Sequence, residues 1–445
     1  GLVPGYKSAY FEGRVASIRW PNDAYPRRAL PERVLQFGTG MLLRALCAAA
    51  VDAANRAGRC PGRIVVVQST PRGHARALNA QDGLFTLVER GFENGARVER
   101  TRVIGSISRA LRADTEWETV RENAARPELQ IIISNVTEAG FQIDGGFPAR
   151  LTDLLLTRFT RRPDAPPVFV IPTELLPDNG PRLAAMVDTL AARAPRAAMF
   201  REWLSTKVRF CSSLVDRITT GQPVADDQAA LEARLGYADE LLTVTEPYAF
   251  WAIEGDPDAL RNVFPIDVGE SVIFAPDIGL YRERKLRLLN ATHTAIAPLA
   301  ILAGIRTVRE AVEHPRLGAF LRRLLFEEII PVSDVPAEDA VPFAHSVIER
   351  FRNPWLDHEW RTIATNQDTK MQIRVEPLIV RFVNRRGQPP EGLALACAAH
   401  LTLLRVPLDT LAEASRLPSF AAAVARWRNV IEREGLAGAL LRQCT

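Results

Sequence analysis

Several things this chain has little of narrow the field before any motif is considered. Its five cysteines, Cys47, Cys60, Cys211, Cys397 and Cys444, form no close pair and no metal-finger spacing. That argues against a disulfide framework and fits a reducing cytosol, so a cytoplasmic location is expected. The longest apolar stretch, residues 296–305, falls well short of the roughly 20 residues a helical membrane span needs. The opening Gly1-Leu2-Val3-Pro4-Gly5 carries no basic-then-apolar signal pattern. An excess of one charge is missing too: Lys+Arg total 56 against Asp+Glu 52, net +4, with the signs intermixed. This gives no footing for nucleic acid, although short arginine clusters suit an anionic small molecule. No internal repeat or low-complexity tract is visible. His314, His345, His358 and His400 stand isolated, without cysteine or glutamate at ligand spacing, so no metal site is expected.

What is present is an ordinary globular composition, 47% hydrophobic and 24% charged, over 445 residues. That length exceeds one typical core and predicts two domains. Residues 1–30, with Pro21 and Pro26 and then Pro31, read as an irregular arm. Residues 33–37 then read as a buried strand, followed by Gly38-Thr39-Gly40 and an alanine-rich helix that Gly58 is placed to stop. Strand, glycine turn and helix open a dinucleotide-binding unit. Gly38 permits the tight turn, Gly40 lets backbone approach a pyrophosphate, and the helix N-terminus faces the phosphates. Leu43 occupies the place of the third glycine of the full fingerprint.

Further strands are predicted at 63–68, 84–89, 129–134 and 167–171, with helices at 114–124 and 181–194. After the strand at 63–68, at Ser69-Thr70-Pro71-Arg72, the acid that holds the ribose hydroxyls of NAD is absent, and Arg72 and Arg76 are near. The choice between NAD and NADP stays open on that count. From residue 278 strand signals nearly vanish. Amphipathic helices are predicted at 298–313, 317–325, 342–350, 393–404 and 420–434, and the composition shift near Asp277 sets a domain boundary between 277 and 278.

At the head of this helical half, residues 284–298 place Lys285, Asn290 and His293 among leucine, alanine and threonine. Apolar neighbours strip an ammonium of hydration, lower its pKa and let it accept a proton near neutral pH. Asn290 and His293 share a helix face, but Lys285 lies about 140° from Asn290 around an ideal helix. Spacing alone therefore does not force one site, and a buried helix with a snorkelling lysine satisfies the pattern equally well.

The K-x4-N-x2-H arrangement of Lys285, Asn290 and His293 resembles the signature of the polyol-specific long-chain dehydrogenases, the mannitol dehydrogenase family. Other segments resemble it too: the glycine turn followed by Arg44-Ala45, Asn79–Leu87, Asn135-Val136-Thr137-Glu138, Asp216-Arg217, Glu246–Gly255, Arg350–Pro354 and Lys370–Arg374. Together they cover roughly residues 30–430. The resemblance implies an α/β fold: an N-terminal Rossmann-type doubly wound domain, residues 1–277, and a mainly α-helical substrate domain, residues 278–445. It implies metal-independent hydride transfer between a nicotinamide cofactor, NAD with NADP not excluded, and a secondary alcohol. Lys285 would be the acid/base, with Asn290 and His293 polarising the substrate oxygen. Phe37, Gly38, Thr39, Gly40, Arg44, Ser69, Asn135 and Glu138 would hold the cofactor. Asp216, Arg217, Arg350, Lys370 and Arg374 would hold the substrate.

Within the family, Glu174-Leu175, Gln36-Phe37 and Gln68-Ser69-Thr70 look most like the branch that reduces D-tagaturonate to D-altronate. Thr39, Met41-Leu42 and Cys211-Ser212-Ser213 depart from that branch. A fructuronate/mannonate or mannitol/fructose enzyme is the alternative within the family, and a catalytically silent nucleotide-binding or sensor protein the alternative outside it.

Overall fold

The computed structural model describes residues 16–20 and 28–444; most of the proline-marked arm, residues 1–15 and 21–27, lies outside the described residues. The chain divides into two compact units, Gly1–Arg90 with Glu99–Ile278, and Gly91–Val98 with Gly279–Thr445.

The first unit is built on six parallel strands: β1 (Glu32–Phe37), β2 (Arg63–Gln68), β3 (Ile107–Arg112), β4 (Ile131–Ser134), β5 (Val168–Pro172) and β6 (Val208–Phe210). They lie in the order β3-β2-β1-β4-β5-β6. Parallel strands covered on both faces read as unbroken apolar runs rather than alternating ones, as in the wholly buried Arg63–Gln68 and Ile131–Ser134. Their two faces still separate with period two. Val34, Ile64, Val66, Ile131 and Ile133 enter one core with the helix over residues 41–56 (α1). Leu35, Val65, Val67 and Ile132 enter a second core. That core is filled by α3 (Trp117–Ala124), α4 (Phe147–Arg161), α5 (Asn179–Ala191) and α6 (Ala197–Lys207), while α2 (Ala75–Ala80) follows the loop after β2. Strand order reverses between β1 and β4, so a crevice opens beyond their carboxyl ends.

Arg158 of α4 is 1% exposed and donates to four carbonyls, those of Ala124, Arg126, Leu129 and Pro166. A guanidinium thereby closes the ends of several loops at once.

Two smaller sheets and a two-stranded parallel pairing of Ala16–Ser17 with Tyr237–Ala238 complete this unit. One has the order Thr219–Gly221, Thr243–Thr245, Phe85–Glu93, Ala96–Ile104; the other pairs Ser213–Asp216 with Phe250–Glu254 and that in turn with Val272–Ala275. The sequence reading expects a strand only at 84–89. The structure extends it to Glu93, returns it as Ala96–Ile104 and adds β3. Ala96–Ile104 was illegible because its face is charged and mostly exposed. The turn of this hairpin belongs to the second unit, where Gly95 N donates to Glu349 Oε1 at 2.6 Å and Arg97 stacks 4.3 Å from the Trp355 ring.

The rest of the second unit is helical. Its first helix, α7, covers residues 279–302, and its middle, Lys285–Ala291, is wound as a π-helix. Then come α8 (Ala337–Phe351), α9 over residues 367–386, α10 (Glu391–Leu404) and α11 (Pro418–Cys444), which is broken at Gly435. Pro298 was expected to start a helix running to 313. It lies instead inside α7, which ends at Leu302; a separate helix, Val308–Glu313, begins at a capping box of Thr307 and Glu310. Pro342 is likewise internal to α8. No helix among the described residues is long and apolar enough to cross a membrane.

Candidate functional site

In the first unit the crevice beyond β1, β2 and β4 is a cleft of about 340 Å³, lined by Gly38 to Gly40, Gln68 to Thr70, Asn135 to Thr137 and the 139–150 region. Gly38 has φ +123, and a Cβ there would meet the Asn135 carbonyl and Leu43 Cδ1 at 3.0 Å. Gly40 is ordinary extended backbone, and a Cβ on it would meet nothing within 4 Å. The first glycine thus closes the turn, and the second leaves open the space a pyrophosphate needs above the N-terminus of α1.

The helix behind this turn is held by buried polar bonds. Arg44, 2% exposed, donates Nη1 to the Thr39 carbonyl at 2.7 Å and Nε to Thr243 Oγ1 at 3.2 Å. Burial pulls its pKa down to about 10, with Asp239 opposing. Arg44 therefore sets the carbonyl of the glycine turn from behind rather than facing the cleft. Phe37, fully buried, packs its ring 4.9 Å from Phe147 and backs the cleft wall. Thr39 and Ser69 line the cleft directly. Asn135 does too, with its amide tied to Thr173 Oγ1 at 3.0 Å. Glu138 opens a short 3-10 turn, and its side chain lies outside the described ones.

Beside Asn135, the Glu174 carboxylate accepts from Val136 N at 2.9 Å and from Ser134 Oγ at 3.2 Å. Burial raises its pKa against those bonds. Leu175 next to it is 74% exposed. Arg217, expected to face substrate, is taken up elsewhere. Its guanidinium donates to the Ala45 and Glu246 carbonyls and pairs with Glu89, all buried, so it ties α1 to the strands behind it. Asp216, at the end of its strand, is buried, and neither residue lines the cleft. Sequence reading missed Arg150 and the glycine-rich loop 140–146, which do line it; Gly140, Gly145 and Gly146 so close after β4 were the available signal.

In the second unit the π winding of Lys285–Ala291 changes the spacing argument. An i→i+5 turn brings residues five apart onto one face, as an α-turn does for residues four apart, so Lys285 and Asn290, separated by about 140° on an α-helix, come to one side of α7. Both are half-buried. His293 follows on the same helix, 7% exposed, with its ring stacked 4.2 Å from Phe351 and edge-on to His358 at 5.4 Å and Trp360 at 5.9 Å.

Against α7 packs the π-wound start of α9, Met371–Val375. Arg287 fixes the pair: its Nη1 donates to the Ile373 and Arg374 carbonyls at 2.9 Å, and its Nε to Glu283. This places Arg374 Nη1 3.3 Å from Thr294 Oγ1. Lys370 Nζ donates to the Ile363 carbonyl at 2.7 Å. Burial lowers the pKa of Arg374, and burial followed by the Arg374 charge lowers that of Lys370. Burial and then Lys370 lower that of His358. Arg350 is buried one residue before Phe351. Lys285, Asn290, His293, Lys370 and Arg374 are thus gathered around α7, with cations outnumbering acids.

Two family models match the chain, the mannitol dehydrogenase Rossmann domain over residues 32–262 and the mannitol dehydrogenase C-terminal domain over 277–412. Among curated relatives, the altronate oxidoreductase of Klebsiella pneumoniae (strain 342) is 37% identical over 395 residues, 86% of this chain and 81% of that protein. That of Bacillus subtilis (strain 168) is 37% identical over 384 residues, 83% and 79% of the two chains. Among solved structures, Pseudomonas fluorescens mannitol 2-dehydrogenase, in ternary complex with NAD and D-mannitol, superposes with a TM-score of 0.72 at 25% identity, covering 95% of this chain and 96% of that one. A substrate-free D-sorbitol dehydrogenase shares the fold, with a TM-score of 0.79 at 22% identity and 96% and 98% coverage. With its glycine turn, open cleft and helical second unit, the chain belongs to the mannitol dehydrogenase family and is an oxidoreductase.

Proposed function

We propose that this oxidoreductase interconverts a keto-sugar acid and its aldonate, with D-tagaturonate and D-altronate as the pair. The observation that carries the acid end of this reading is the state of Lys370 and Arg374. Both are desolvated, and neither pairs with a carboxylate among the described residues. A half-buried cation without an anion keeps part of its desolvation cost uncompensated, and a guanidinium meets a substrate carboxylate in bidentate fashion. The relatives named altronate oxidoreductase, and Glu174-Leu175 after β5, support the same substrate class.

NAD, when bound, supplies or takes up the hydride. In the oxidative direction the alcohol proton passes to Lys285 Nζ as the carbon gives up its hydride; in the reductive direction Lys285 returns that proton to the new alkoxide oxygen. Asn290 and His293 donate hydrogen bonds to the same oxygen, where negative charge develops. Stacking on Phe351 holds the His293 ring in one plane, so its donor need not be reoriented during the reaction.

The test is the initial rate of NADH consumption with D-tagaturonate, D-fructuronate and D-fructose, for the native chain and for Lys285→Ala. Turnover of tagaturonate that falls about 10²- to 10⁴-fold in the variant is the expected result. Turnover of fructose alone moves the chain to the polyol side of the family, and of fructuronate to the neighbouring sugar acid. Binding of NADH without turnover of any of them leaves a nucleotide-binding protein.

A further inference from the structure

The wall of the cleft just beyond β2 carries two side-chain donors, Ser69 and Arg150. A free ribose 2′,3′-diol is usually held by a carboxylate at the end of β2, which accepts from both hydroxyls. Here that place holds Gln68, and its amide is spent within its own loop. Oε1 accepts from Ala75 N at 3.0 Å, while Nε2 donates to the carbonyls of Thr70 at 2.9 Å and Pro71 at 3.4 Å. The next residue, Ser69, lines the cleft, and its Oγ is buried without a hydrogen-bond partner in the protein. A buried hydroxyl left unpaired costs free energy and calls for a ligand.

Arg150 of α4 lines the same wall. Its Nη1 donates to the Ser69 carbonyl at 3.1 Å, and its guanidinium carbon lies 5.9 Å from the Trp117 ring centroid. A guanidinium carries five N–H donors, so this one is fixed in place with donors to spare. A hydroxyl beside a fixed guanidinium is a donor pair suited to a phosphate. The arginines singled out from the sequence do not make this pair: Arg76 is exposed beside Glu240, and Arg72 does not line the cleft. The carboxylate in the lining is Asp144, from the loop before α4.

We propose that Ser69 and Arg150 form a subsite for an adenosine 2′-phosphate, so that the chain binds NADP(H) as well as NAD(H). The proposal rests on the assignment of this cleft to the nicotinamide cofactor. It is tested by fluorescence titration of the full chain with NADH and with NADPH at one fixed salt concentration, with circular dichroism confirming the fold of each variant.

The native chain is expected to bind NADPH within about tenfold of NADH, and Arg150→Met to weaken NADPH about 10- to 100-fold while NADH moves less than about threefold. Ser69→Asp, which installs the acid that accepts from the ribose diol, is expected to weaken NADPH and tighten NADH. Three results overturn the proposal. One is native binding of NADH with NADPH weaker by more than about 100-fold, a case in which Asp144→Asn would show whether Asp144 holds the diol. Another is an equal loss of both cofactors in a folded Arg150→Met. The third, binding of neither cofactor by the native chain, removes the cofactor assignment itself.

Discussion

Gln367 Nε2 donates at 2.7 Å to the carbonyl of Thr294, the acceptor that Pro298 leaves without a helical donor four residues on. A proline ring inside α7 removes one N–H, and a side chain from α9 replaces it. The same threonine receives Arg374 through its hydroxyl, so the repair of the backbone and the placing of the cation proposed for the substrate share one residue. Gln367→Leu is expected to destabilise the protein by about 1–3 kcal/mol, because it strands a buried carbonyl. Pro298→Ala returns the missing N–H, so the double variant should recover part of that loss. Thermal unfolding of the four chains of the cycle measures it, and simple additivity would refute the pairing.

The two glycines of the turn should fail in different ways. Gly38→Ala forces a Cβ against the Asn135 carbonyl at a φ of +123, and a loss of stability of about 1–3 kcal/mol is expected along with weaker NADH binding. Gly40→Ala meets no protein atom, so stability should hold while the methyl group intrudes on the cofactor's space and NADH weakens. Thermal midpoints and NADH titrations separate the cases; equal stability loss in both would contradict them.

Arg158 is a buried cation held by hydrogen bonds to backbone carbonyls. Arg158→Met keeps the stem but strands four carbonyls, and about 3 kcal/mol or more should be lost. A denaturant midpoint unchanged from native would show that water takes over those carbonyls without cost.

His358 and His400 both have pKa values lowered in the folded chain, chiefly by burial. Lys370 adds to the effect at His358, while Asp368, 2.9 Å from His400 Nε2, opposes it at His400. For a base with a depressed folded pKa, the unfolded chain takes up protons first. Stability is therefore whole above the ordinary histidine range and falls as pH drops through it toward the folded values. The urea midpoint is expected to decline between about pH 7.5 and pH 5.5, and less steeply in His358→Phe. A midpoint that rose on acidification would reverse the sign and refute the account.

Much of the first unit could be read from residues alone, because parallel strands buried on both faces leave unbroken runs such as Ile64-Val65-Val66-Val67. Where an element is exposed or polar the signal fails. Ala96–Ile104 shows a charged, open face, and β3 carries Ser108, Arg109 and Arg112 among its six residues. Its Arg109 is held by Glu32 of β1, a partner that no local window contains.

By itself the sequence determined the glycine turn at 38–40, the apolar strands around it, the helical second half and the 285–290–293 spacing, since each is a local pattern of residue types. Tertiary structure decided how those patterns are used. The π winding that lines Lys285 up with Asn290 belongs to a segment held by Arg287 against a second π segment 86 and 87 residues away. Arg217 became a buried tie and Arg150 a wall of the cofactor cleft because their partners, Glu89 and Ala45 for one and Ser69 for the other, are distant in sequence. Pairing between remote residues, and the burial that gives each pairing its strength, exists only once the chain has packed.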